Sequence, residues 1–429
     1  MRDIALFCAF LVFLPIALSS SFGAYLIWGW AGLLAPGMYA FGFMISVPFV
    51  QIFALISLVT LLIAKDPQRV PFELNRTALL FLIFCFHAFL VALFALDGLP
   101  RNWEIFQNIV KTVLFCLLMP MLASSRLRVH ALLVMVVLGL AFHGLLDGLK
   151  FVMSGGGHTA RGIAKFGDNN YEAMALATTI PLLLYAARYS VNKWVKRGFG
   201  MVMAINVLAI VSTNSRGGLL TMLAIAIVMI SRTQRKMAGL ATMVVVGALA
   251  MALAPASWTE RMNTMKEAGG DESFMTRVAA WKKSTAIALD YPLVGGGFYA
   301  VQSPPTYHRY RNAQGLMGFI DTPDPGAFAA HSIYFQVIGD MGYLGFFIYM
   351  ALLLNVFALR RGIKRIANAI GPPADWAMHL ADALSVSMVA FMVGGALLSA
   401  AYLEIPFILM ALMGVTHQVI KSAQTPPKR

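Results

Sequence analysis

The stretch Thr213-Asn214-Ser215-Arg216-Gly217-Gly218 combines the groups that an anion site needs. Asn214 or Ser215 can cap the apolar helix that follows, which puts Arg216 in its first turn. A cation there opposes the helix dipole by ~0.3–1 kcal/mol, so the arrangement makes sense when an anion sits against the open N–H groups. Gly217 and Gly218 leave room for it. The plainer alternative is an arginine reaching out to lipid headgroups. His331 opens another apolar run, and an ordinary pKa of about 6.5 suits a general base. Gln336 and Asp340 follow it, while Gly339, Gly342 and Gly345 permit close packing. A histidine at a helix start can equally be structural.

A second polar cluster runs Gly155-Gly156-Gly157-His158-Thr159-Ala160-Arg161, then Gly167-Asp168-Asn169-Asn170. Arg161, Asp168, Asn169 and Asn170 offer the donors and acceptors that sugar hydroxyls and phosphates take. The alternative is an ordinary loop in which Asp168 and Asn169 start the next helix. Lys111 lies about eight residues, ~12 Å, inside its apolar run, where it can pair with Asp147 or assist a buried phosphate. His87, His143 and His417 lie within apolar runs and read as core. The acidic pairs Asp271-Glu272 and Asp321/Asp324 sit in a polar loop without ligand spacing on a rigid element, so no metal is expected. Nor is a cofactor, because no P-loop, GxSxG or HExxH pattern occurs.

What positions these residues is a membrane-spanning frame. Of 429 residues, 59% are hydrophobic and 12% charged, with a mean hydropathy of +0.74. The apolar residues fall in runs of roughly 17–25, the length that crosses a bilayer. The spacing predicts spans near 4–20, 42–64, 77–96, 103–123, 128–152, 169–187, 195–212, 216–231, 237–254, 331–358, 380–400 and 402–420. Segment 22–35, with Phe22, Tyr25, Trp28 and Trp30, is short and aromatic, which suits an interfacial or re-entrant helix. The fold class is therefore all-α, a polytopic bundle of about 12 spans. Residues 1–254 and 331–429 hold the spans, and 255–330 form one long polar loop. Cys8, Cys85 and Cys116 lie in apolar runs and read as packing residues.

The excess of 33 Lys+Arg over 19 Asp+Glu is distributed asymmetrically rather than as a nucleic-acid patch. Twenty of the basic residues fall on the side of both termini and eleven on the other, seven of these in the long loop. The short loops decide orientation, so the termini are expected in the cytoplasm and 255–330 outside it. Within that loop 273–289 reads as an amphipathic helix, with Phe274, Val278, Trp281, Thr285 and Leu289 on one face. Arg277 and Lys282 flank this stripe, a pattern suited to lying on the membrane surface. Gly295-Gly296-Gly297 then makes a turn that lets backbone approach a ligand closely.

Taken in order, SRGG, TRVAAW, YPLVGGGF and HSIYFQVIGDMGYLGF resemble the O-antigen ligase superfamily. The N-terminal part, with GIAKFGDNNYEAMALATTIPLL, looks closer to the branch of exosortase-associated O-glycosylation ligases. The resemblance covers most of the chain from about residue 155. It implies an inverting, metal-independent glycosyltransferase of the bacterial inner membrane, with its active site facing the periplasm. Such an enzyme moves a glycan from undecaprenyl pyrophosphate to a hydroxyl of lipid A–core oligosaccharide. The family's essential residues carry over onto Arg216, Arg277 and His331. The expected substrate-binding set is Arg161, Asp168, Asn169, Asn170, Lys111, Asn214, Ser215, Gly217, Trp281 and Gln336. Where the family often has Glu, this chain has Asp340, read as structural. The partners implied are the lipid-linked donor, the lipid A–core acceptor and the bilayer, with no nucleic acid. The rival readings are an O-antigen polymerase, a protein O-oligosaccharyltransferase and, outside enzymes, a polyprenyl-glycan flippase.

Cysteine labelling should reach residues 195, 233 and 362 from the cytoplasm, and 160 and 300 from the opposite side. Labelling of residue 300 from the cytoplasm would overturn this siting.

Overall fold

A computed structural model describes residues 2–162, 167–233, 236–237, 272–322, 324 and 326–424. Among them there are fourteen α-helices and no strand. They are α1 (Arg2–Ser19), α2 (Ser21–Leu34), α3 (Phe49–Ile63), α4 (Arg76–Leu93), α5 (Pro100–Leu122), α6 (Arg126–Met153) and α7 (Asn169–Tyr189). Then come α8 (Lys193–Ser212), α9 (Arg216–Arg232), α10 (Glu272–Asp290), α11 (Pro304–Arg309), α12 (Ile333–Ile370), α13 (Asp375–Gly395) and α14 (Glu404–Gln424). The starts follow local chemistry. Asn75, Ser125, Asp168 and Ser215 each accept a hydrogen bond from a backbone N–H in the first turn of α4, α6, α7 and α9. Pro100 sits at the first position of α5, where its missing N–H costs nothing.

Eight of these helices are long and apolar enough to cross a membrane, against the expectation of about twelve. The shortfall has particular causes. The run 42–64 is interrupted by 3-10 turns and leaves α3 with 15 helical residues. Helix α7 has 21 residues but is too polar, with Asn169, Asn170, Glu172 and Arg188 near its ends, and α9 has 17 residues, with arginines at both ends. The run expected at 237–254 lies outside the described residues. The aromatics of segment 22–35 pack inward on protein. In α2 both Tyr25 and Trp28 are buried, with Tyr25 stacked on Phe115 at 4.4 Å and donating to the Phe115 carbonyl. The outer faces of α3 and α4 carry exposed Leu55, Val59, Leu62, Leu82 and Phe86. A soluble monomer rarely exposes apolar surface on that scale, and a bilayer covers it.

Close packing rests on small residues. A Cβ at Gly148 of α6 would lie 2.3 Å from the Ile205 carbonyl of α8, and one at Gly218 of α9 2.6 Å from Ala173 of α7. Helix α10 does not float on a membrane surface as its stripe suggested. One face packs on α12, and the opposite face is roofed by residues around 315. Lys282 is consequently buried rather than flanking an exposed stripe. The glycine turn also differs from expectation, because the backbone that it approaches belongs to α12. Gly296 and Gly297 donate to the carbonyls of Gly339 and Asp340, at 2.9 and 3.1 Å. Asp340, buried in α12, accepts from Ala300 N–H at 2.9 Å and Tyr402 hydroxyl at 3.0 Å. Its role here is structural.

This docking gives a stability prediction with an internal control. Gly295 and Gly155 both have left-handed φ, +64° and +61°, so each Gly→Ala change meets ~1–2 kcal/mol of backbone strain. A Cβ at Gly295 would also lie 2.5 Å from the Asp340 backbone, whereas nothing lies within 4 Å at Gly155. Thermal unfolding of the purified protein should therefore show Gly295→Ala destabilising by at least ~2 kcal/mol more than Gly155→Ala.

Candidate active site

The two polar motifs that the sequence separates by more than forty residues form one site. The chain before α7 crosses to the α8–α9 turn, where Ala160 N–H donates to the Ser212 carbonyl at 3.0 Å. The Asn169 amide donates to the Thr213 carbonyl at 2.6 Å, and the Ser215 hydroxyl to the Asn170 side-chain oxygen at 2.7 Å. Asn214 adopts a left-handed φ of 52°, which asparagine tolerates better than most residues. Its amide reaches the Thr159 hydroxyl at 3.5 Å. Ser215, rather than Asn214, is the cap of α9, accepting from Gly218 N–H at 3.0 Å. Arg216 is thereby fixed in the first turn with its side chain exposed. Arg161 also has an exposed side chain, one residue beyond Ala160.

The third wall is the turn between α13 and α14. Gly217 packs toward Leu397, with a Cβ position 3.5 Å from its side chain. On the same turn the Ser399 hydroxyl accepts from His331 N–H at 2.9 Å. His331 precedes α12 and has a φ of 44°, a conformation that a non-glycine residue holds only when its surroundings impose it. Two contacts impose it here: the Ser399 bond and the Trp281 indole, which donates to the neighbouring Ala330 carbonyl at 2.6 Å. Trp281 also stacks on Phe335, with ring centroids 4.7 Å apart. Trp281 therefore braces the backbone beside His331, with one ring face covered by Phe335. Gln336 is likewise buried and accepts from Ala401 N–H at 3.1 Å, pinning α12 to the same turn.

Helix α10 supplies Arg277, whose charge acts on His331. The imidazole is held below its ordinary pKa, first by burial and then by the Arg277 cation, with Asp168 pulling the other way. At neutral pH it is an uncharged base with a cation and a carboxylate near it.

Lys111 does not pair with Asp147. It donates to Asn108 at 3.3 Å, while Asp147 binds Lys150 and His158, both at 2.9 Å. Lys111 and Asn108 lie instead on a largely apolar cavity of about 380 Å³. Its walls include Trp28, Leu33 and Phe115, and it runs to Tyr171, Tyr299, Tyr402 and Ser399. The residue that holds His331 is thus part of its lining. Sequence reasoning passed over Ser399, Tyr299 and Tyr402. The one local signal was the polar break Ser399-Ala400-Ala401-Tyr402 between two apolar runs. Among the described residues no group of three or more His, Cys, Asp or Glu is placed to hold a metal ion.

Residues 199–350 match the family described as O-Antigen ligase, and residues 1–191 match a family of unknown function. The matched segment supports a place for the chain in the O-antigen ligase superfamily. The same match, with the apolar helices, supports a glycosyl-transferring membrane enzyme of the ligase and polymerase kind. No curated protein matches it. The matched O-antigen ligase segment encloses Arg216, Arg277 and His331, whereas Lys111, Arg161 and Asp168 to Asn170 lie in the other matched segment.

The electrostatics of His331 give a pH prediction. A base with a depressed pKa stays deprotonated below pH 6.5, so the acid limb of kcat/KM should fall below that value. Arg277→Gln removes a depressing charge and should move the limb up in pH. Asp168→Asn removes a raising charge and should move it down. Limbs that stay put in both variants would show that His331 does not titrate in the reaction.

Proposed function

We propose that this protein transfers a glycan from undecaprenyl pyrophosphate to a hydroxyl of lipid A–core oligosaccharide, with inversion and without a metal. The site faces the periplasm from the inner membrane. One observation carries the reading: His331, locked in a left-handed conformation with the Arg277 charge upon it, is held by Ser399, and Ser399 lines an apolar cavity. The Arg216 helix start packs on the same turn through Gly217.

Each part has a chemical duty. The apolar cavity accepts the near end of the polyprenyl tail, with Lys111 at its wall. Arg216 and Arg277 grip the pyrophosphate, for which the planar guanidinium fork is the better donor set. His331 takes the proton of the acceptor hydroxyl, whose oxygen attacks the anomeric carbon from the face opposite the pyrophosphate. The bond to the pyrophosphate breaks, and undecaprenyl pyrophosphate leaves with the electron pair. A pyrophosphate needs no proton to depart, and the arginines stabilise the growing charge in place of a metal. Asp168, Asn169, Asn170, Asn214 and Ser215 line the approach of the glycan. Their mutual hydrogen bonds pre-organise that wall.

Purified protein given lipid-linked glycan and lipid A–core should transfer the glycan and release undecaprenyl pyrophosphate. Transfer only onto a second lipid-linked glycan would make it a polymerase, and movement across the bilayer without bond formation a flippase. His331→Ala should keep donor binding and lose transfer by roughly 10²–10⁴-fold. Arg216→Ala should weaken donor binding and slow the chemistry together, with Arg216→Lys restoring only part. Near-normal turnover in His331→Gln, which cannot take the proton, would remove the base assignment.

A further inference from the structure

Helix α10 has a second working face. Lys282 and Lys283 lie five and six residues beyond Arg277, roughly 8–9 Å along the axis and about 120–140° around it. With Ala279 of α10 and residues 311–314, 322 and 324 they enclose a second cavity, again of about 380 Å³. Unlike the first, it is lined mainly by polar groups. The lysines are only 6% and 5% exposed, which is unusual for this residue type.

Their partners do not balance them. Lys282 donates to the Ile320 carbonyl at 2.7 Å and reaches the Thr322 hydroxyl at 3.5 Å. Lys283 stands 3.5 Å from an Asp324 carboxylate oxygen and 4.2 Å above the Tyr307 ring. That carboxylate is shared further, accepting from the Tyr307 hydroxyl at 2.5 Å and from Arg311 at 2.6 Å. These bonds push Asp324 down to about 2, so it stays charged. Among the described residues the cavity lining thus holds three cations, two of them almost fully buried, against the single carboxylate of Asp324, which Lys282 does not touch. Burial holds the Lys283 ammonium below its ordinary range, with Asp324 partly restoring it. An enclosed excess of cations is costly unless an anion completes it. Each ammonium has three donors, enough to serve its present partners and a ligand oxygen. Asn312 and Gln314 on the same wall suit the hydroxyls of a sugar.

We propose that this cavity binds a phosphate carried on a sugar of the acceptor. The assignment of the ligand to the acceptor rests on the transfer reaction proposed above. The donor's pyrophosphate and tail occupy the other face of α10 and the apolar cavity. The second cavity, walled by residues 311–314, 322 and 324, shares no lining residue with that apolar cavity. One helix thus separates the two substrates, and its two faces set the distance between leaving group and acceptor anchor.

The test is equilibrium binding of an acceptor glycolipid to the full chain in nanodiscs of zwitterionic lipid. The glycolipid is used in its phosphorylated form and after phosphatase treatment. The wild type should prefer the phosphorylated form by about tenfold or more, the scale of a lost charge-assisted hydrogen bond. Lys283→Gln and Lys282→Gln should each erase most of that preference while leaving the affinity for the dephosphorylated form unchanged. Equal affinity of the wild type for both forms overturns the proposal. So does a variant that loses both forms alike, since that marks a structural brace. Loss confined to lipid-linked donor would move the site to the donor. Loss of the preference on adding phosphatidylglycerol would assign it to lipid headgroups. A protein that shows the preference but transfers nothing would refute the reaction and leave this phosphate site standing.

Discussion

The buried Asp340 carboxylate joins the three pieces from which the site is built. One oxygen accepts from the Ala300 backbone and the other from the Tyr402 hydroxyl, while Asp340 itself belongs to α12. The polar segment, the long helix and the α13–α14 turn therefore meet at one side chain. A carboxylate buried this deeply is tolerable only when its hydrogen bonds are made, so the arrangement has little freedom. The glycine turn beside it adds two backbone bonds to α12, at a distance that no Cβ would allow. The C-terminal end of α10 is thereby fixed, and with it the Arg277 charge that acts on His331.

The chemistry follows from where that lock leaves the charges. His331 is half withdrawn from water beside a cation, which keeps it neutral and able to take a proton. Its strained backbone is held by Ser399 and by the bond from Trp281 to Ala330. Both supports come from segments distant in the chain. Ser399 also lines the apolar cavity, so one hydroxyl connects that cavity to the backbone of His331.

A bilayer enzyme must gather polar groups at one end of its helices, because each is expensive in the hydrocarbon. This chain does so with caps. Asp168 and Ser215 satisfy the first turns of α7 and α9, and the same residues face or bond the neighbouring site asparagines. The groups that end the helices are thus also the groups available to a glycan.

Much of this was legible in the sequence where the cause is local. Apolar runs, the caps at Asp168 and Ser215, the helix over 273–289 and the polarity of Asn214 to Gly218 depend on neighbours within a turn or two. The candidates Arg216 and His331 were visible in the same way, at the edges of apolar runs, whereas Arg277, within the long polar loop, was singled out by the family resemblance. Tertiary structure decided which of them meet. Nothing in the order of residues says that Asn169 binds Thr213, that Ser399 holds His331, or that Lys111 turns to Asn108 rather than Asp147. The same holds for α10, whose stripe looked made for a membrane surface until α12 and the 315 region covered both of its faces. Periodicity records which side of a helix is apolar, but whether that side meets lipid or protein depends on contacts made far along the chain.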